Sequence, residues 1–156
     1  MLHRARDLAL ALLAATLLAL LPGACASSGP RDLPPEAVLE VRFVETDPAL
    51  PTTGFPWQGV DLPLGAPHRF GLSEVGLATD GLGRPALHFE VRQRDRPALR
   101  QLTEGRVGRR MAVVVDGEVV SLAVLAAPLP GVGQVEGDFD LAAIEAMIAA
   151  MSGPVD

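Results

Sequence analysis

Alternating apolar and polar positions predict several β-strands in this chain. In residues 38–44, Leu39, Val41 and Phe43 fall on one side, with Glu40 and Arg42 between them. The segments with a strand pattern are residues 38–44, 72–79, 86–92, 111–115, 118–124 and 134–136. Residues 45–70 are rich in proline and glycine, so we expect a long irregular connection there.

The clearest local signal is a hairpin around Asp116-Gly117, which separates two runs of β-branched residues. Both positions of a two-residue link need positive φ, which Asp-Gly tolerates. Pairing Val115 with Glu118 places Leu122 on the same face as Val115 and Ser121 on the opposite face. Because both faces carry apolar residues, we expect this hairpin at the centre of the sheet.

Two helices are predicted from capping signals. Asp95 is the expected N-cap of the first, with an apolar stripe of Leu99 and Leu102 and an end at Gly105. Asp140 is the expected N-cap of the second, over residues 141–151. The sequence therefore predicts an α+β fold: an antiparallel or mixed sheet with a central Asp-Gly hairpin and two helices packed on one face.

The N-terminal 25 residues predict an export signal. Arg4 and Arg6 precede an almost entirely apolar stretch at residues 8–21. The small residues before Cys25, the only cysteine, resemble a lipobox in which that cysteine is acylated. Cys25 is therefore the lipidation candidate, and we expect a lipid anchor in a membrane facing the periplasm, with the outer membrane favoured.

Two other fates of the N-terminus fit the same residues. Ala24-Cys25-Ala26 also satisfies the rule for ordinary signal cleavage, which would release a soluble periplasmic protein. An uncleaved anchor is the third reading. All three place the domain outside the cytoplasm. At 156 residues we expect a signal peptide at 1–25, a flexible tether at 26–37 and one folded domain at 38–152.

Composition and motifs argue against catalysis and nucleic-acid binding. A net charge of −6 lacks the basic footprint of a general nucleic-acid binder. A single cysteine excludes a cysteine-rich metal site. His68 and His88 have no Cys, Ser or Glu at a recognisable catalytic spacing. We therefore expect a non-enzymatic protein with no cofactor and no metal.

Charge is segregated along the domain. Residues 92–110 hold seven arginines against two acids, whereas residues 111–156 hold seven acids and no base. One interpretation is a solvated surface facing acidic elements of the same fold. The other is a positive patch for lipid headgroups or a polypeptide carboxylate.

One run of residues resembles a known family. The run is LTEGRVGRRMAVVVDGEVVS at residues 102–121. It resembles the head subdomain of the first periplasmic domain of SecD and SecDF, in which a helix ending in Leu-Thr precedes a Val-Gly-basic turn and an Asp-Gly hairpin. The likeness continues through residues 128–131 and 137–139 and covers about residues 84–151. It departs at Leu122-Ala123, where family members usually have Ala-Pro.

The resemblance implies a function in protein export, because the family's head lies near the emerging polypeptide. It implies a protein or unfolded polypeptide as partner, beside the membrane reached through the lipid anchor. The candidate partner-binding residues are Arg106, Arg109, Arg110, Gly131 and Val132. The alternative is an accessory lipoprotein that docks one specific envelope complex, and a third possibility is a hydrolase with an unrecognised site.

Overall fold

A computed structural model describes residues 33–152. The strands are β1 (Val38–Phe43), β2 (Thr53–Trp57), β3 (Val60–Leu64), β4 (His68–Thr79), β5 (Pro85–Val91), β6 (Arg110–Val115), β7 (Glu118–Val124) and β8 (Val132–Val135). The helices are α1 (Arg96–Glu104) and α2 (Leu141–Ser152). The predicted α+β class is confirmed.

Six strands form one sheet in the order β7-β6-β1-β4-β5-β8, and every neighbouring pair is antiparallel. The predicted central position of the Asp-Gly hairpin is wrong, because β7 is an edge strand. β1 occupies the middle of the sheet through its pairings with β4 and β6. Strand order depends on such long-range pairings, which local alternation does not encode.

Each face of the sheet buries its own apolar cluster. The helix-side cluster includes Leu39 and Val41 of β1 and receives Leu99 of α1 and Ile144 of α2. The ribbon-side cluster lies under β2 and β3 and contains Val44, Leu62, Leu64, Ala112 and Val114. The apolar character of both faces thus reflects a helix layer on one side and a two-stranded ribbon on the other.

β6 and β7 pair with Val115 opposite Glu118, and Asp116 and Gly117 have φ of 50° and 79°. The register shifts after Val113, leaving Val120 as an extra residue in β7. Such a bulge places two successive residues on the same side. The predicted faces are therefore wrong beyond it: Leu122 lies opposite Ala112 and packs in the ribbon-side cluster, and Ser121 lies opposite Val113.

The expected irregular connection at residues 45–70 is wrong. It contains β2 and β3, which pair around a turn at Gln58 and Gly59 with φ of 48° and 81°. Pro56 and Pro63 are tolerated because a two-stranded ribbon leaves outward N–H positions unused. Trp57 packs against the ribbon-side cluster.

The helix caps differ from each other. Asp140 accepts a hydrogen bond from the Ala143 N–H at 2.7 Å, as an N-cap does. Asp95 stands at the N-cap position of α1, but its side chain makes no capping bond. It accepts the Gly71 N–H at 2.9 Å instead, so it joins the start of α1 to β4.

The domain includes residues from the predicted tether. Ala37 is fully buried, and Leu33 packs against the helix-side cluster. The Arg92 guanidinium donates to the carbonyls of Leu33, Pro34 and Pro35. The described chain therefore lies against the domain from residue 33 onward.

The segment at residues 125–131 connects β7 to β8, which form opposite edges of the sheet. Thr103 of α1 is fully buried and holds this crossover: its Oγ1 accepts the Leu129 N–H at 3.0 Å and donates to the Leu99 carbonyl at 2.8 Å. One hydroxyl thus joins the last turn of α1 to the middle of the crossover.

Thr103→Val is predicted to destabilise the protein by about 1–2 kcal/mol, because it leaves the partly buried Leu129 N–H without its partner. Urea unfolding of the purified full chain measures the change. Thr103→Ser keeps the hydroxyl and is the control, expected to lose less. Equal losses in the two variants would show that the hydroxyl contributes nothing.

Candidate functional site

Two predicted partner-binding residues converge on one aromatic ring. Arg106 and Arg109 lie in the turn between α1 and β6, where Gly108 has φ of 88°. Their guanidinium carbons lie 5.1 and 5.8 Å from the ring centroid of Phe43. These distances are typical of cation–π contact.

The ring and the two arginines line an open pocket of about 200 Å³. Its other lining residues are Glu45, Gly65, Ala66 and His68. His68 meets the Phe43 ring edge-on, with centroids 6.2 Å apart. We call Phe43, Glu45, His68, Arg106 and Arg109 the basic pocket.

The two cations of the basic pocket are neutralised unequally. Arg109 donates to the Glu45 carboxylate at 3.1 Å and to the Val44 carbonyl at 3.0 Å. Arg109, with the backbone N–H groups of Asp47 and Thr46, holds the pKa of the Glu45 carboxyl below its usual value, so Glu45 remains ionised. Arg106 donates to the Leu102 carbonyl and has no ion pair within residues 33–152. The uncompensated charge is therefore that of Arg106.

His68 is held in its neutral form. Partial burial, and then the nearby positive charge of Arg106, lower the pKa of its imidazole below the ordinary value of 6.5. Near neutral pH the imidazole thus adds no charge to the pocket. It presents an aromatic ring and one N–H donor beside the Arg106 guanidinium.

The remaining candidates lie elsewhere. Arg110 begins β6 and is exposed, and its carbonyl accepts the Val44 N–H. Gly131 and Val132 lie at the β8 edge, across the sheet from β6 and β7. Cys25 falls outside the described residues.

Gly131 has a structural reason to be glycine. It has φ of 93°, and a Cβ there would lie 2.6 Å from Cγ of Arg96. Arg96 is fixed by its bonds to the Val91 carbonyl and the Glu90 carboxylate. Val132, the next residue, is 42% exposed and remains available for contact.

The basic pocket has the chemistry of a carboxylate receptor. Arg106 supplies charge-assisted donors, and the ring of Phe43 supplies an apolar wall. The pocket lining contains no Ser, Thr or Cys that His68 could activate. Between residues 33 and 152, no three His, Cys, Asp or Glu side chains form a group that could hold a metal ion.

Sequence patterns found the arginines but missed Phe43 and His68 as their neighbours. Phe43 ends β1 and His68 begins β4, and β1 pairs with β4 and β6 at once. The approach of these residues therefore depends on strand order. Neither α1 nor α2, the two helices in the described part, is long and apolar enough to cross a membrane.

These features define a small antiparallel α+β domain with an open pocket suited to a carboxylate. The sequence model of the family described as SecDF, P1 head subdomain, matches residues 71–153, just over half of the chain. The chain therefore belongs to the SecDF P1 head subdomain family, as the resemblance in its sequence indicated.

Individual relatives agree with this assignment. The protein translocase subunit SecD of Aquifex aeolicus (strain VF5) is 35% identical over 68 residues, which are 44% of this chain and 14% of that subunit. This chain therefore matches only a small part of the SecD subunit's length.

Two solved structures share the fold. One is SecDF, a membrane component that enhances protein export, with a TM-score of 0.55, 21% identity and coverage of 75% of this chain and 62% of that chain. The other is SecDF in the super-membrane-facing form, with a TM-score of 0.55, 23% identity and coverage of 75% and 18%.

The lowered pKa of His68 predicts that the protein loses stability on mild acidification. The His68 imidazole binds a proton more readily in the unfolded chain than in the folded protein. The contribution of neutral His68 to the free energy of unfolding is therefore complete above pH 6.5 and falls as the pH drops towards the pKa of the folded state. Melting temperatures of the full chain between pH 7.5 and 5.5 measure the loss.

His68→Gln is expected to remove the part of the pH dependence that comes from His68. Arg106→Gln is expected to reduce that part, because it removes the positive charge that helps to lower the His68 pKa. A pH profile unchanged in His68→Gln would contradict the assignment.

Proposed function

We propose that this chain is a non-enzymatic, protein export-associated module that binds polypeptide at a membrane surface. The observation that carries the proposal is the uncompensated Arg106 guanidinium in the open pocket beside Phe43, in a domain of the SecDF P1 head family. The chemistry of this pocket suits a carboxylate with an apolar neighbour. Unfolded polypeptides present such pairs many times along their length.

The electrostatic part of this binding is sensitive to salt. Arg106 and Arg109 are partly exposed, so their attraction for a carboxylate is screened at physiological ionic strength. Exposed ion pairs contribute about 0–1 kcal/mol each. Binding of a single segment is therefore weak, and a long chain gains affinity by offering several segments.

A second candidate function is an accessory lipoprotein that docks one envelope complex. The exposed side chain of Val132 at the β8 edge favours it, because an edge strand can pair with a folded partner. Recovery of one recurrent partner, without affinity for unfolded chains in general, distinguishes this function from the first.

We also propose that Cys25 is acylated and anchors the domain facing the periplasm, with the outer membrane as its site. The support is the signal-like segment at residues 8–21 and the small residues that precede Cys25. Acyl chains contribute about 0.8 kcal/mol per buried CH₂, so more than one chain holds a protein firmly.

Arg106→Gln combined with Arg109→Gln is predicted to weaken binding of an unfolded polypeptide roughly five- to tenfold. The probe is reduced, carboxymethylated α-lactalbumin with a fluorescent label, titrated with the detergent-purified full chain at physiological salt. Arg100→Gln is the matched control, because Arg100 is exposed on α1 and has no ion pair within residues 33–152. Absence of binding by the unaltered chain would refute the proposed function.

Cys25→Ser is predicted to abolish labelling of the protein by an alkyne fatty acid in cells and to move it from the membrane to the soluble fraction. Ser27→Ala is the control and keeps both properties. An unlabelled wild-type chain would contradict the lipid anchor.

A further inference from the structure

The outer edge of β7 is open within residues 33–152. The Leu125 N–H donates to the Arg109 carbonyl at 2.9 Å, so strand alternation directs the backbone groups of Leu122 and Val124 away from β6. No other described segment pairs with this edge.

The edge has a bulge at Val120 but lacks two other usual protections against strand pairing, a charged residue and a proline. Residues 119–124 read Val-Val-Ser-Leu-Ala-Val, without a charge or a proline. The bulge at Val120 lies towards the hairpin end, so residues 121–124 keep a regular register. A further strand therefore finds the outward N–H and C=O groups of Leu122 and Val124 in regular register.

A groove of about 560 Å³ adjoins the hairpin half of this edge and reaches Leu122. Its floor is residues 118–122 of β7, one wall contains Trp57 of the ribbon, and the other contains Phe139 and Met147 on the helix side. Because the walls come from opposite faces of the sheet, the groove lies beside β7 in the plane of the sheet, where an added strand would lie. Its volume falls within the roughly 300–1,000 Å³ of ordinary ligand clefts.

The charge of this groove selects its occupant. Glu118, Glu136 and Asp138 line it, and none has an ion pair within residues 33–152. Residues 111–152 contain no Arg, Lys or His. A cation among these carboxylates would also lie beside the indole of Trp57, where cation–π attraction adds to the charge.

We propose that β7 accepts an extended segment of an exported polypeptide as an added strand, with a lysine or arginine of that segment held among Glu118, Glu136 and Asp138. The inference rests on the proposed function and names the kind of segment recognised: apolar, extended and basic. It uses a different surface from the basic pocket. A second copy of this chain fits less well, because it would bring an equally acidic groove.

The test uses an eight-residue fluorescent peptide of alternating valine and threonine with one arginine. Fluorescence anisotropy with the detergent-purified full chain is expected to give micromolar binding. Replacing the arginine by glutamate, or N-methylating alternate backbone nitrogens, is expected to weaken binding roughly tenfold. Equal binding of all three peptides would overturn the proposal.

Val124→Pro tests the edge without disturbing the fold. Val124 is 61% exposed and its N–H points outward, where an edge strand tolerates proline. The variant is expected to lose peptide binding, whereas Val124→Thr keeps it. Glu118→Gln with Asp138→Asn is expected to lose the preference for arginine over glutamate. Unaltered binding by Val124→Pro would overturn the proposal.

The outcomes separate this inference from the proposed function. If labelled α-lactalbumin binds and the arginine peptide does not, strand addition is refuted and the basic pocket remains. If neither probe binds, both proposals fail. If sedimentation shows a dimer that Val124→Pro dissociates, and no peptide binds, the occupant of the edge is a second copy and the proposal is overturned.

Discussion

The hydrogen bond from the Leu129 N–H to the hydroxyl of the fully buried Thr103 is the constraint on which the arrangement of this domain depends. The chain must pass from β7 at one edge of the sheet to β8 at the other, across the face that the helices cover. Backbone polar groups in such a crossover need partners. Thr103 supplies one from the last turn of α1, so the helix and the crossover are fixed relative to each other.

The basic pocket depends on the same region of the fold. The turn that follows α1 begins with the Arg106 N–H donating to the Thr103 carbonyl. Within the turn, the Gly108 N–H donates to the Leu125 carbonyl, and the Leu125 N–H donates to the Arg109 carbonyl. These bonds place the two guanidinium groups over Phe43. Two of the segments that resemble the SecD family, at residues 102–121 and 128–131, are thus in direct contact through Thr103, which gives their joint occurrence a physical reason.

Local sequence patterns predicted the elements whose signals lie in neighbouring residues. The alternation at residues 38–44, the β-branched runs around Asp116-Gly117 and the cap at Asp140 all correspond to described elements or contacts. The ribbon of β2 and β3 is not predicted by local pattern, because its prolines and glycines are typical of irregular connections. The edge position of β7 and the approach of His68 to Phe43 could not be predicted, because both follow from strand order.

Photo-crosslinking in the native cell tests the central claim, polypeptide binding in the envelope, most directly. The probe replaces Val107, which is 48% exposed and adjacent to Arg106, and a control probe replaces Leu82, which is 80% exposed in the β4–β5 turn. The account predicts crosslinks from position 107, and few from position 82, to many different exported polypeptides. A single recurrent envelope protein, or no crosslink above the control, would contradict it.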